Sequence, residues 1–463
     1  MASYRYEDVA PTPTPRSTGN LGMGSSVPRL SRNSAREQAT FELQHKIQEQ
    51  LVRDLAGSNE RFSRLSPAQT RQEIEERLQR IIDNEIHAQQ LPLTKSERLD
   101  LFTRCIAEIT GYGPIDGLLH DENVTEIMVN GPYNIWIDQR KGGMVKTDLH
   151  FKDDDHLLRI IERIVSPINR RVNDASPLVD ARLRDGSRVN IVVAPVALDG
   201  SILTIRKFAT KKLQPADLVE KDTVSRDMML FLQRCVEAKL NIIVSGGTNT
   251  GKSTLLNVLS VFIPSDQRIV TIEDAAELQL QQAHVVRMES RPANVEGKNQ
   301  ITIRQLVANA LRQRPDRIIV GECRGGEALD MLQAMNTGHE GSMTTIHANT
   351  AKDVLNRLQM LVLMSGIDLP ERAVHEQILS AVHLIVQLKH FEDNSRRVVS
   401  IAELRRGGAG GVEVVDIFAF EPTGKGKDGR VLGRLRPTGE RPRFLEAMEH
   451  KGLTVPPTIF KLQ

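Results

Sequence analysis

Eight consecutive residues, Gly246, Gly247, Thr248, Asn249, Thr250, Gly251, Lys252 and Ser253, restrict what this 463-residue chain can fold into more than any other feature. They fit the pattern G-x-x-x-x-G-K-[ST]. They stand between an apolar run, Leu240 to Val244, and a segment from Ser253 to Phe262 with Leu255, Leu256 and Leu259 at helical spacing. A strand, a glycine-rich loop and a helix in that order present backbone N–H groups that lack intrahelical partners, at the helix end whose dipole favours an anion. The expectation is a triphosphate cradle from Gly246 to Thr254, with Lys252 on the β- and γ-phosphates and Ser253 on Mg2+.

Two acidic segments follow. Arg317-Ile318-Ile319-Val320-Gly321-Glu322 reads as a buried strand ending in one carboxylate, with Gly321 where an Asp often holds the metal. Glu322 is therefore the candidate for orienting an attacking water, a task that needs an acceptor more than a strong base. Arg268-Ile269-Val270-Thr271-Ile272-Glu273-Asp274 is a second apolar strand ending in acids, followed by Glu277. Glu273 is the candidate for helping Ser253 hold the metal; a helix cap or a solvated loop is the plainer reading of these acids. Further on, Met343-Thr344-Thr345-Ile346 reads as a strand ending in His347. If it runs parallel to the others, His347 reaches the same carboxyl edge, where open α/β sheets bind ligands, and its imidazole can sense a phosphate. His375, His383 and His390 read as structural.

These segments together resemble the type II/IV secretion ATPase superfamily, over about Gly111 through Leu388. The resemblance rests on the phosphate loop, on Arg314 to Glu322, on Arg324-Gly325-Gly326-Glu327-Ala328, and on Gly338-His339 through His347-Ala348-Asn349. The branch it is most similar to is the CpaF/TadA family, motors of tight-adherence (Flp) pili. The resemblance implies catalytic roles for Glu273, Glu322, His339 and His347, with ATP and Mg2+ as ligands. It also implies a homo-hexameric ring at the cytoplasmic face of the inner membrane, working against integral membrane platform proteins and moving pilin indirectly. Two positions depart from the usual pattern: Asn249 stands for a glycine, and Cys323 for a small aliphatic residue. Asn tolerates a left-handed backbone, so the loop geometry is expected to survive.

An arginine cluster precedes the loop: Arg182, Arg184 and Arg188 surround Asp185-Gly186-Ser187, and Arg206 ends Ile202-Leu203-Thr204-Ile205. On pattern alone, such a rim is as readily solvated as functional. The resemblance implies that Arg188 and Arg206, then Arg182, reach the nucleotide, for which a guanidinium fork is suited.

The expected organisation is α/β: a RecA-like phosphate-loop ATPase domain, preceded by a smaller α/β (PAS-like) domain and an N-terminal helical bundle. Residues 1–36, rich in Pro, Ser, Gly and Arg, read as a disordered tail. Leu43, Ile47, Leu51 and Leu55, then Ile74, Leu78, Ile82 and Ile86, mark helices of a bundle over 37–110, which is either a packing module or a docking surface. Short alternating strands fill 111–208, and 209–222 reads as a linker. The ATPase domain spans 223–422, and 423–463 reads as a C-terminal extension.

Composition narrows the function classes. No apolar run approaches the ~18 residues of a membrane span and no export signal opens the chain. Cys105, Cys235 and Cys323 are too far apart to suggest a metal site or a disulfide framework, and read as reduced thiols. A net charge of +2 and 4% aromatic residues argue against a nucleic-acid helicase, which would share the RecA-like core. Type IV secretion or conjugation, and a nucleotide switch without significant turnover, remain the alternatives to a pilus motor.

Overall fold

The structure, a computed structural model, describes residues 43–462 except 45, 48, 52, 56–65, 90–92, 141, 169, 209–211, 294–296 and 409–410. The tail read over 1–36 and the start of the linker lie outside the described residues. The chain divides into two compact units, and the division does not follow chain order. One holds the residues up to Glu122 together with Asp148–Arg163; the other holds Asn123–Thr147 and everything from Ile164.

In the first unit, helical residues between 43 and 55 and the helices Pro67–Gln89 and Lys95–Thr110 share one apolar core. Leu43, Ile47 and Leu51 face it at intervals of four, as do Leu78, Ile82 and Ile86, because that spacing keeps side chains on one helical face. Thr94 and Glu97 form a capping box that starts the third of these helices. Asp148–Arg163 joins this unit through polar contacts. Arg163 donates to the carbonyls of Glu108 (2.9 Å) and Gly111 (2.6 Å), and His156 Nε2 lies 2.8 Å from Glu108 Oε2.

The second unit contains two sheets. The smaller is antiparallel throughout, in the order β3-β2-β1-β6-β5-β4. Its strands are β1 (Val124–Asn130), β2 (Ile135–Gln139), β3 (Gly143–Lys146), β4 (Leu178–Arg182), β5 (Arg188–Val192) and β6 (Ile202–Arg206). The larger comprises β7 (Ile242–Gly246), β8 (Ile269–Glu273), β9 (Val285–Glu289), β10 (Arg317–Val320), β11 (Met343–Ile346), β12 (Leu384–His390), β13 (Arg396–Arg406), β14 (Val412–Lys425) and β15 (Val431–Pro437). Its order is β15-β14-β13-β12-β7-β11-β10-β8-β9, with β12 through β9 parallel and β12 through β15 an antiparallel meander.

β7, β8, β10 and β11 are buried along their whole length. That is why they read as unbroken apolar runs: helices cover both faces of a parallel sheet. Ile242 and Val244 point into a core with the helices Arg226–Glu237 and Lys252–Ser260, whereas Ile243 points into a second core with Glu327–Asn336, Ala351–Leu363 and Glu371–Ala381.

The segment read as a C-terminal extension, 423–463, is not set apart from the larger sheet. β14 runs through Lys425, β15 adds the edge strand, and Leu445, Met448, Val455, Ile459 and Phe460 enter the first core. Phe460 sits edge-on to Phe231 at 5.7 Å between ring centroids.

Arg317, at the start of β10, has no exposed surface. It donates to Gln267 Oε1 (2.6 Å), the Val236 carbonyl (2.8 Å) and the Gly341 carbonyl (3.3 Å), joining a helix end to the turn before β11. Burial lowers its pKa to about 10. Gly341, at φ +82°, is required there, since a Cβ would lie 2.6 Å from an Arg317 guanidinium nitrogen. Arg317→Ala leaves these acceptors unpaired beside a cavity, so it is expected to destabilise the protein by at least about 3 kcal/mol, read as a lower urea midpoint. An unchanged midpoint would remove Arg317 from the framework of this sheet.

Candidate nucleotide site

The glycine-rich loop joins β7 to the helix Lys252–Ser260. Asn249 (φ 60°) and Gly251 (φ 91°) take the left-handed backbone that turns the chain into the helix. At Gly246 a Cβ would meet Thr250 Oγ1 at 2.5 Å and the Leu388 carbonyl at 2.9 Å, so only glycine lets the loop close against β12.

Lys252 is buried at the head of that helix. Its Nζ donates to the Gly247 carbonyl (2.9 Å) and lies 3.2 Å from His347 Nε2, which in turn lies 3.2 Å from Glu322 Oε1. Burial lowers the ammonium pKa, and the Glu322 carboxylate opposes that shift. Burial, then the Lys252 charge, lowers the imidazole pKa of His347. In the neutral ring the tautomer sets the role of Nε2: bare, it accepts from Lys252, and protonated, it donates to Glu322. Three residues spread over nearly a hundred positions of the chain meet because β7, β11 and β10 are parallel neighbours whose carboxyl ends share one edge.

The acids divide their work differently from the sequence expectation. Glu322 Oε2 accepts from Arg324 at 2.7 Å, and the same guanidinium lies 3.9 Å from Asp274. Glu273 is buried, with Oε2 accepting the N–H groups of Glu277 (2.7 Å) and Leu278 (2.9 Å) and Oε1 left without a partner. Burial raises its pKa and these two hydrogen bonds oppose the rise. Gly321 is explained here too: a Cβ at that position would fall 2.8 Å from Glu273 Cγ. The carboxylate that touches Ser253 is Glu277, whose Oε2 accepts from Ser253 Oγ at 3.3 Å.

Arg182, Arg188 and Arg206 are direct cross-strand neighbours on β4, β5 and β6, in register with Glu126 on β1. Arg188 pairs with Glu277 Oε1 at 2.7 Å and donates to the Ala275 carbonyl. Arg206 pairs with Glu126 at 2.7 Å. Both line a cavity of about 550 Å³ with the phosphate loop, Glu273, Glu322 and His347. Arg182 does not line it, and instead donates to the Ala276 carbonyl (2.9 Å) and forms an ion pair with Glu289 (3.0 Å).

His339 is not brought to this edge. It sits in the turn before β11, at the amino end of that strand, where its carbonyl accepts from Ser342 Oγ. Glu277, Arg324, Phe208 and Arg396 line the cavity without having been candidates. Glu277 lies four residues past Glu273, in a loop with no periodicity to flag it. Arg396 belongs to an antiparallel strand far along the chain.

The residues present fit a nucleotide with a divalent cation. Asn249 and Gly251 turn the loop into a helix start, where the first amides have no intrahelical partner, and the Ser253 hydroxyl and the unpartnered, buried Glu273 Oε1 are oxygen ligands at the same edge. No cluster of three or more His, Cys, Asp or Glu side chains suited to a metal occurs among the described residues. Mg2+ needs no such cage where phosphate oxygens complete its shell.

Comparison with known proteins agrees. Residues 108–407 match the family described as type II/IV secretion system protein, and the chain belongs to that family. A Mycobacterium tuberculosis protein provisionally named a conjugal transfer protein is 36% identical over 317 residues, 67% of this chain and 89% of its own. The type IV secretion system protein VirB11 of Bartonella henselae is 30% identical over 322 residues, 61% of this chain and 89% of its own. Among solved structures, the VirB11 ATPase of the Brucella suis type IV secretion system, in complex with sulphate, is 27% identical, over 63% of this chain and 92% of that one, with a TM-score of 0.35. The class is thus a type II/IV secretion ATPase.

The charge network makes a spectroscopic prediction. Lys252→Met removes the cation beside His347, so the imidazole pKa, resolved by NMR titration, is expected to rise toward the ordinary value of 6.5 while staying below it because burial persists. A fall on removing Lys252 would contradict the proposed contact. Gly321→Ala is expected to drive Glu273 off its two amide donors and to lower nucleotide turnover by about tenfold or more, one charge-assisted hydrogen bond being worth that much. Parental turnover in that variant would show that the position of Glu273 is immaterial.

Proposed function

We propose that this chain hydrolyses ATP and uses the energy to drive a pilus or secretion machine. The observation that carries the reading is the convergence on one cavity of Lys252, Ser253, Glu322 and His347 from the large sheet with Arg188 and Arg206 from the small one. Lys252 and the loop amides would hold the phosphates, and Ser253 with Glu273 or Glu277 would hold Mg2+, which screens the charge developing on the phosphates. Glu322 orients the attacking water, and His347, neutral beside Lys252, marks the γ-phosphate position. Arg188, released from Glu277, supplies a guanidinium to the charge that develops during transfer.

The motifs from Arg314 to Asn349 support a tight-adherence pilus motor of the CpaF/TadA kind, acting as a homo-hexamer on integral membrane platform proteins. The same resemblance places attachment peripherally, on the cytoplasmic face of the inner membrane; no described helix is long and apolar enough to cross a membrane. The names of the relatives favour a second reading, type IV secretion or conjugal transfer. Complementing a deletion strain separates the two: restored pili and surface attachment support the first, and restored conjugal transfer or protein export without pili supports the second.

Three variants test the hydrolysis. Lys252→Ala is expected to abolish turnover and weaken nucleotide binding in a folded chain. Glu322→Gln is expected to bind ATP and hydrolyse it at least about a hundredfold more slowly, since the amide keeps the shape and loses the charge. Arg188→Ala is expected to lower the rate by ~10³ or more, in the range of an arginine finger, with ADP affinity little changed. Rapid-quench single-turnover assays with and without DNA read all three. Parental rates in all three variants would defeat the hydrolase reading, and DNA-stimulated turnover would reopen a nucleic-acid motor.

A further inference from the structure

We propose that Arg396 is a positioning residue that pre-orders the phosphate loop by clasping Asn249 at two points, and so tightens binding of any nucleotide carrying a β-phosphate. This rests on the nucleotide reading of the loop. Arg396 opens β13, 147 residues beyond Asn249 in the chain, and no sequence pattern links the two. Its Nε donates to the Asn249 carbonyl at 2.9 Å, and a terminal guanidinium nitrogen donates to Asn249 Oδ1 at 3.2 Å. Its stem runs beside the loop: a Cβ on Gly251 would sit 3.7 Å from Arg396 Cδ, in ordinary contact. Among the described residues no carboxylate pairs with Arg396, so nothing charged competes for the guanidinium.

The clasp has a definite structural effect. The Asn249 carbonyl and the Thr250 N–H belong to one planar trans peptide and point in opposite directions. Holding that carbonyl toward Arg396 turns the Thr250 N–H away from it and fixes the direction of an amide available to a phosphate. Asn249 is at φ 60°, where glycine would be equally comfortable but would offer no Oδ1. The asparagine side chain is therefore the second anchor point.

The far end is itself anchored. Arg396 pairs in register with His390 across the β12–β13 turn. In that turn Asp393 accepts the Ser395 N–H (3.0 Å) and, with its other oxygen, the Val431 N–H of β15 (2.8 Å). The guanidinium thus hangs from backbone fixed to the edge meander, and the loop is held from outside its own strand–helix unit. Ordering the loop before the ligand arrives removes part of the ordering cost from binding.

The test titrates the full chain with fluorescently labelled ADP and ATP, comparing Arg396→Ala, Arg396→Lys, Asn249→Gly and the double variant Asn249→Gly/Arg396→Ala, with Lys252→Ala as the loss-of-binding control. Arg396→Ala is expected to weaken ADP and ATP by the same factor, about tenfold, the worth of a charge-assisted hydrogen bond. Arg396→Lys should recover only part of that, because one ammonium cannot span both acceptors. The double variant should bind within about twofold of Arg396→Ala, since once the guanidinium is gone the Asn249 side chain has nothing left to anchor, whereas Asn249→Gly alone keeps the carbonyl bond and should lose less.

Unchanged affinity in Arg396→Ala, fully additive losses, or a much larger loss for ATP than for ADP would each overturn the proposal, the last by making Arg396 a direct γ-phosphate contact. If Arg396→Ala does not fold, Arg396→Gln and Asn249→Gly carry the same comparison. A parent chain that binds neither nucleotide would overturn the nucleotide reading itself, a failure distinct from that of the clasp.

Discussion

Lys252 carries an ammonium into a place where burial disfavours charge, and the surrounding edge of the large sheet is organised to offset that cost. The Gly247 carbonyl and the negative field of Glu322 each compensate part of it, and His347 Nε2 lies beside both charges. None of the three comes from the helix that bears the lysine, so the arrangement exists only while β7, β11 and β10 keep their parallel registers, Ile243 against Thr344 and Thr344 against Val320. A slip of one residue would turn these side chains to the opposite face of the sheet. The buried anchor Arg317 ties the amino end of β10 to the turn that feeds β11, and so guards that register from the other side.

Glu277 is the second point of economy. One carboxylate receives Ser253, the first hydroxyl of the phosphate-loop helix, through one oxygen and Arg188, from the small sheet, through the other. Glu277 therefore bridges the phosphate-loop helix and the small sheet at the place where a cation would lie, beside the contacts that Arg182 and Arg188 make with Ala275, Ala276 and Glu289. Any ligand that draws Ser253 away from Glu277 also changes what Arg188 is paired with, and a partly buried ion pair is screened too little for that change to be trivial.

Much of this was legible in the chain. The phosphate loop, the buried strands and the helices of the first unit are written in patterns a few residues long: glycines at fixed offsets, unbroken apolar runs, and repeats of four such as Leu78, Ile82 and Ile86. Glu322 and His347 were placed correctly at strand ends because a carboxyl edge follows once the strands are parallel. The sequence nominates Glu273 because it ends an apolar strand, and offers nothing to single out Glu277 in the loop beyond; only the fold shows that Glu273 turns inward to the amides of Glu277 and Leu278. Motif alone groups His339 with His347, although the strand between them carries the two to opposite edges.

The sequence by itself determined the local conformations, because dihedral preferences, helix caps and the periods of burial act within a turn of helix or the width of a strand. That is enough to declare a phosphate-binding α/β sheet and to nominate its lysine. Tertiary structure alone decided which distant groups met: Arg182, Arg188 and Arg206 in one row, Asp148–Arg163 among the N-terminal helices, residues 423–463 within the main core, and Arg396 on Asn249. Those encounters depend on strand order and register, which are set by burial summed over the whole sheet and leave no mark in any short stretch of sequence.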